Sequence, residues 1–202
     1  MQNDALIVID VQNDFLPGGA LSVTDGDLIL PIVIDLVIRY DHVIVTQDWH
    51  PQNHASFASN HDNQAPYDTM HFDYGPQTLW PDHCVQGTQG AALHGALPLD
   101  KAELIIRKGT NPAIDSYSAF FENDRTTPTG LQGYLRERGL QKLVFCGLAT
   151  DFCVAYSALD AIRCGFDASV ALSACAAIDL NGSLDHMLKT MNESGVELLM
   201  VA

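Results

Sequence analysis

Three side chains suited to acyl transfer stand just after short apolar runs in this chain. Cys153 lies in Gly147-Leu148-Ala149-Thr150-Asp151-Phe152-Cys153, beyond the run 143–145. With Asp151 as the N-cap of a helix over 152–164, the sulfur falls in the first helical turn. Free NH groups and the helix dipole there favour the nucleophilic thiolate, and the same NH groups can hold an oxyanion. The plainer alternative makes Cys153 a small buried apolar residue, like Cys146 or Cys164. Lys108 ends the run 104–106 through Arg107. An ammonium at the inner edge of an apolar strand needs a carboxylate or thiolate partner, unless the strand end is solvated. Asp10, after the run 5–9, is either a proton acceptor or a turn cap. Taken together, a thiolate, a proton acceptor and a cation suit acyl transfer through a covalent intermediate.

A second group has metal-ligand chemistry. In an extended Asp48-Trp49-His50, residues i and i+2 share one face, so Asp48 and His50 can meet one ion. His83, in Pro81-Asp82-His83-Cys84, can supply a third ligand, and His54 either a fourth or a hold on a bound water. Carboxylate and imidazole suit one divalent ion, zinc, iron or manganese, with positions left for water or substrate. Cys84 adjoins the ligand set, with its side chain expected to point away.

The elements that position these groups follow from periodicity. Runs at 5–9, 42–45, 104–106, 143–145, 168–172 and 196–201 are rich in Val, Ile and Leu and mostly do not alternate, as strands buried on both faces do. Between them the pattern predicts helices over 28–40, with Asp25 and Asp27 at its start and Pro31 in its first turn, and over 130–138, 152–164 and 183–193. Alternating strands and helices predict a three-layer α/β/α sandwich with a mainly parallel central sheet of about six strands, in one domain over 1–202. Ligands of such sheets bind beyond the carboxyl ends of the strands, where Asp10, Asp48, Lys108 and Cys153 lie. Residues 51–99 show no period and, with His50, contain six of the eight histidines, which marks them as a functional loop.

Composition excludes several partners. Ten Lys and Arg against 25 Asp and Glu leave a formal charge of −15, which repels nucleic acid and anionic bilayers. The longest apolar stretch, 28–38, is broken by Pro31 and Asp35 and falls short of the about 20 residues a membrane span needs. No basic leader opens the chain, and five cysteines cannot all pair, so a reducing, cytoplasmic setting is expected. The expected partner is a small-molecule substrate, and the expected assembly a monomer or homodimer.

The motifs Val8-Ile9-Asp10-Val11-Gln12-Asn13-Asp14-Phe15, Thr46-Gln47-Asp48-Trp49-His50-Pro51, Trp80-Pro81-Asp82-His83-Cys84-Val85, Arg107-Lys108-Gly109 with Asp115-Ser116-Tyr117-Ser118-Ala119-Phe120, and the turn that ends at Cys153 occur in family order. By them the chain resembles the isochorismatase-like cysteine hydrolases, and within these the metal-binding nicotinamidase and pyrazinamidase branch. The resemblance implies hydrolysis of nicotinamide to nicotinate and ammonia in NAD salvage, with action on pyrazinamide. It implies Cys153 as nucleophile, Asp10 as proton shuttle, Lys108 as orienting cation, and Asp48, His50 and His83 as metal ligands. It further implies a cis Leu148–Ala149 peptide, an oxyanion hole from the NH groups of Ala149 and Cys153, and a ring slot lined by Phe15, Leu21, Trp80 and Tyr117. The rivals are a metal-independent hydrolase of the same superfamily and a non-catalytic metal- or ligand-binding scaffold.

Overall fold

The computed structural model describes residues 4–200. Six strands form one parallel sheet in the order β5-β2-β1-β6-β7-β8. They are β1 (Asp4–Ile9), β2 (His42–Asp48), β5 (Leu104–Lys108), β6 (Lys142–Leu148), β7 (Asp167–Ala176) and β8 (Glu197–Leu199). Helices α1 (Leu30–Arg39), α2 (Leu131–Glu137), α3 (Ala155–Arg163) and α4 (Ser183–Glu193) cover its faces. Strand β1 shows how one apolar run serves two cores. Ala5, Ile7 and Ile9 pack with Phe145 and with Leu131, Ala158 and Met191 of α2, α3 and α4. Leu6 and Val8 face the other way, onto Val33, Leu36 and Val37 of α1. Each fully buried aliphatic side chain contributes about 1.5–3 kcal/mol, which is why the run is continuous and not alternating.

Gly147 lets β6 press against β1. Its φ is +116°, and a Cβ there would run into the Ile9 carbonyl. The β6/β7 register shifts between Phe145 and Gly147, so the chain leaves β6 aimed at the sheet's carboxyl edge.

Three local expectations are corrected. Helix α1 begins at Leu30, two residues late. Its entry uses the backbone carbonyls of Asp25 and Asp27, which accept from the Leu28 and Leu30 NH groups at 3.0 and 3.2 Å, and no side-chain cap. Asp151 does not cap its own helix. Residues Thr150–Val154 form a π-helical turn before α3, and no side-chain oxygen caps either segment. The 51–99 region carries an antiparallel hairpin of β3 (Thr69–Phe72) and β4 (Gly75–Thr78), too short and too interrupted by Pro76 for its period to show. The last apolar run ends at Leu199 as β8, and Val201 lies outside the described residues. No helix among the described residues is long and apolar enough to cross a membrane.

Candidate active site

The sheet order places β1 between β2 and β6, so the loops after these strands diverge and leave a crevice at their carboxyl ends. Asp10 follows β1, Asp48 and Lys108 end β2 and β5 as register partners, and Cys153 follows β6. Trp49 fastens the β2 end to β5, with its NH on the Lys108 carbonyl at 2.9 Å and the Arg107 guanidinium 3.9 Å over its ring.

Lys108 is the hub. Its fully buried ammonium donates to Asp48 Oδ1 at 2.5 Å, to the Ser116 carbonyl at 2.8 Å and to Cys153 Sγ at 3.4 Å. Those bonds use its three protons. Asp10 Oδ2 lies 2.8 Å away as an ion-pair partner, but off line for a hydrogen bond, so that oxygen has no donor. The other oxygen, Oδ1, accepts from Thr46 Oγ1 at 2.6 Å. Asp10 and Cys153 thus stand within 4.8 Å with one unsatisfied carboxylate oxygen between them.

The electrostatics define a resting state that differs from the sequence expectation. Burial pushes the Cys153 thiol well above its ordinary value. Lys108 opposes this, and Asp10 and Asp48 reinforce it. The balance favours the thiol at rest, because desolvation with Asp10 and Asp48 outweighs Lys108. Burial also raises Asp10, with Lys108 lowering it and Asp48 raising it. A carboxylate raised in this way binds a proton more readily, as a base for a reluctant thiol must. Burial disfavours the Lys108 charge, but Asp10 and Asp48 overcome it and hold the ammonium protonated.

Across Asp48 lies the histidine cluster. Asp48 Oδ2 is 3.5 Å from His50 Nε2 and 3.8 Å from His83 Nε2. The Nδ1–H of His50 donates to the Gly109 carbonyl at 2.9 Å, and that of His83 to the Pro81 carbonyl at 2.8 Å. Both rings thereby turn an Nε2 lone pair inward, the orientation that metal-binding histidines adopt. Gly109, at φ +65°, is required here, because a Cβ would occupy the His50 ring. His50 Nε2 and His54 Nε2 are buried without partners, and Asp48, His50 and His83 offer ligand atoms within 4.8 Å of one another. This donor set fits one divalent cation. Burial lowers His83 to about 4, which keeps its ring neutral. Burial also opposes charge on His50, but Asp48 outweighs it and raises that imidazole. Burial tends to raise Asp48, and Lys108, then His50, hold it well below the carboxylate range.

His54 differs. The Ser56 NH donates to its Nδ1 at 3.3 Å and Ser56 Oγ lies 2.7 Å from the same nitrogen, so the ring proton sits on Nε2. That tautomer suits a hydrogen-bond donor beside the ion better than a fourth ligand. Cys84 does not join any ligand group among the described residues; its NH donates to Asp14 Oδ2 at 2.7 Å.

Phe15, Leu21, Trp80 and Tyr117 all line one slot, together with Ala149, Phe152, Cys153 and Ile178 and with Asp48, His83 and Asp115. The Leu148–Ala149 peptide beneath it is cis. The cavity is about 20 Å³, little more than the about 10–15 Å³ one water needs. Tyr117 OH accepts from Gln77 Nε2 at 2.8 Å and Trp80 Nε1 at 3.1 Å, which fixes two ring walls edge to face.

Sequence reasoning assigned no role to Gln12, Thr46, Asp115, Gln77 or Ile178. Gln12 grips the Asp48 backbone, accepting its NH at 2.7 Å and donating to its carbonyl at 2.8 Å. The available signal was a glutamine directly after an apolar strand, where solvation alone does not explain it. Asp115 and Gln77 had no local signal, since their bond at 2.8 Å joins the hairpin to a distant loop.

Comparison with known proteins places this geometry. The family model described as "Isochorismatase domain" matches residues 4–202. The chain is 57% identical to a nicotinamidase of Acinetobacter baylyi over 195 residues, 96% of this chain and 91% of that one. Its structure resembles that of the Acinetobacter baumanii nicotinamidase and pyrazinamidase with a TM-score of 0.97 at 53% identity, over 98% and 96% of the two chains. It resembles a Pyrococcus horikoshii pyrazinamidase in complex with zinc with a TM-score of 0.79 at 35% identity, over 98% and 99%. The chain belongs to the isochorismatase family.

Proposed function

We propose that this chain is a nicotinamidase, hydrolysing nicotinamide to nicotinate and ammonia, and pyrazinamide likewise, through a thioester on Cys153. The observation that carries this reading is the shared ammonium. Lys108 bonds at once to Cys153 Sγ and to Asp48 Oδ1, so a nucleophile site and a cation site open on one aromatic slot. A divalent ion held by Asp48, His50 and His83, zinc in the first instance, supplies when bound a Lewis-acid anchor for a pyridine nitrogen.

The chain's own groups do the rest. Phe15, Trp80 and Tyr117 hold a flat ring and exclude water, which fixes the amide carbon near Cys153. Asp10 Oδ2 takes the thiol proton as sulfur attacks the amide carbon, and the carbonyl electrons move onto oxygen, held by the NH groups of Ala149 and Cys153. The oxyanion collapses, the C–N bond breaks, and Asp10 returns the proton to the departing ammonia. Water then gives a proton to Asp10 and attacks the thioester, and that proton passes to sulfur as nicotinate leaves. Lys108 keeps sulfur and carboxylate in register throughout. The free cysteines fit a reducing, cytoplasmic setting.

The test is ammonia release from nicotinamide, pyrazinamide and isochorismate before and after chelation. Release from the two amides alone, reduced about 10-fold or more by chelation, is expected. Release from neither amide by zinc-loaded protein overturns the proposal. Two further outcomes follow from the charges. The acid limb of kcat/KM should lie above the ordinary aspartate range, because burial raises Asp10 and only its carboxylate accepts the thiol proton. An acid limb that stays at or below that range removes Asp10 as base. Metal content after dialysis should fall as pH drops through the histidine range, since protons compete for His50 Nε2. Asp48→Asn should lose the metal already at neutral pH; full retention would remove Asp48 from the ligand set.

A further inference from the structure

We propose that Asp151 is a positioning residue that sets the width of the substrate slot by latching Ile178 onto its rim. The inference rests on the slot assigned above. Asp151 is buried, and both its oxygens point away from its own helix. Oδ1 accepts the Ile178 NH at 3.0 Å, and Oδ2 accepts the Asp179 NH at 2.8 Å and Ser183 Oγ at 2.5 Å. Its donors therefore come from a segment 27–32 residues further on, at the entry to α4. Asp179 in turn accepts the Leu184 NH on Oδ1 at 3.3 Å, which ties the segment to the first turn of that helix.

Two observations make this latch more than a structural staple. Among the described residues, Ile178 is the only slot-lining residue from beyond Cys153, and it is half-buried. The segment that carries it also passes through left-handed backbone at Asp179 (φ 53°) and Asn181 (φ 55°). Asp and Asn tolerate that conformation better than other non-glycine residues, and the Asp151 bond to the Asp179 NH helps to hold the segment in it. Asp151 lies two residues before the nucleophile, so Cys153 and the wall opposite the ring share one anchor. The slot is narrow, about 20 Å³, so the placing of each wall bears on which rings it admits. The rim formed by Ile178 is held to the nucleophile's turn by the Asp151 carboxylate, and it discriminates by ring size.

The experiment compares nicotinamide with a ring-methylated nicotinamide for the wild type, Ile178→Ala, Asp151→Asn and Ser183→Ala, each metal-loaded. Asparagine turns an NH₂ toward donors and breaks the latch. Ser183→Ala removes one bond of three and covers the case in which Asp151→Asn does not fold. Ile178→Ala and Asp151→Asn should raise the kcat/KM ratio of methylated to plain substrate by about 10-fold, with KM for nicotinamide rising more than kcat falls. Ser183→Ala should move the same way by less. An unchanged ratio in Ile178→Ala and Ser183→Ala overturns the proposal, as does an Asp151→Asn variant that loses kcat with KM and ratio unmoved.

A second readout does not depend on the substrate. The rate of Cys153 alkylation by N-phenylmaleimide relative to iodoacetamide, followed on the Cys153 peptide, should rise in the same variants. If the wild type releases no ammonia from nicotinamide and the alkylation ratio still rises, the assigned substrate fails and the latch stands. If nicotinamide is hydrolysed and neither ratio moves, the latch fails and the assigned substrate stands.

Discussion

Cys153→Ala should lower nicotinamide turnover by about 10⁴-fold or more while the protein stays folded and keeps its metal. A nucleophile removed from a covalent mechanism typically costs this much or more, and the groups left behind supply only residual rate. The metal should stay because the Asp48, His50 and His83 set holds no sulfur, and the Lys108 bonds to Asp48 and the Ser116 carbonyl do not involve it. Turnover measured with metal content by elemental analysis decides between two chemistries. Loss of rate at constant metal supports thioester chemistry. Retained rate would transfer the reaction to hydrolysis by a metal-bound water and make Cys153 a bystander. Asp10→Asn should lose rate nearly as fully, because Asp48, the other carboxylate within 4.8 Å of the sulfur, is held against burial well below the carboxylate range by Lys108 and His50 and is a poor base.

Lys108→Met should be the most destabilising single change in the site. It leaves Asp10 and Asp48, both buried, without their shared countercharge, a loss of about 3–5 kcal/mol. For a chain of this length that is a fall in Tm of about 10 °C or more. The pH dependence carries the sign. In the wild type, Lys108 and then His50 overcome burial to hold Asp48 well below the carboxylate range. That contribution is present above the unfolded carboxylate pKa and disappears as pH falls through the folded one. The gap between wild type and variant should therefore be widest near neutrality and shrink on acidification, as both carboxylates take up protons. Thermal melts of the two proteins from neutral to acid pH measure it. A constant gap would mean that Lys108 stabilises through packing and not through charge.

What could be read from the chain follows the range of the interactions. The four inner strands were legible because burial on both faces writes itself into consecutive Val, Ile and Leu, and the edge strands β5 and β8, only partly buried, showed as short apolar runs. Asp10, Asp48, Lys108 and Cys153 were legible because each ends such a strand or lies in the turn that follows it, and parallel strands bring their carboxyl ends to one edge. Asp48 and His50 share a face by strand geometry alone. The ionisation of Cys153 was misjudged because position in a turn is local, while burial comes from the whole molecule. Asp151 was misread for a related reason. Its spacing before a helix is that of an N-cap, but its partners lie at Ile178, Asp179 and Ser183, and no local pattern announces a bond over that separation. The hairpin β3–β4 left no trace because four-residue strands are shorter than the period needed to detect them. The network of Gln77, Asp115 and Tyr117 that braces the slot was hidden with it.

The central claim is that nicotinamide is converted through an acyl group carried on Cys153, and rapid quenching tests it most directly. Metal-loaded wild-type protein turning over nicotinamide is stopped in acid at successive times, and its peptides are weighed by mass spectrometry. A mass gain of one nicotinoyl group is expected, confined to the Cys153 peptide, rising and then falling as substrate is consumed, and absent from Cys153→Ala. Steady nicotinate production with Cys153 unmodified at every quench time would contradict it.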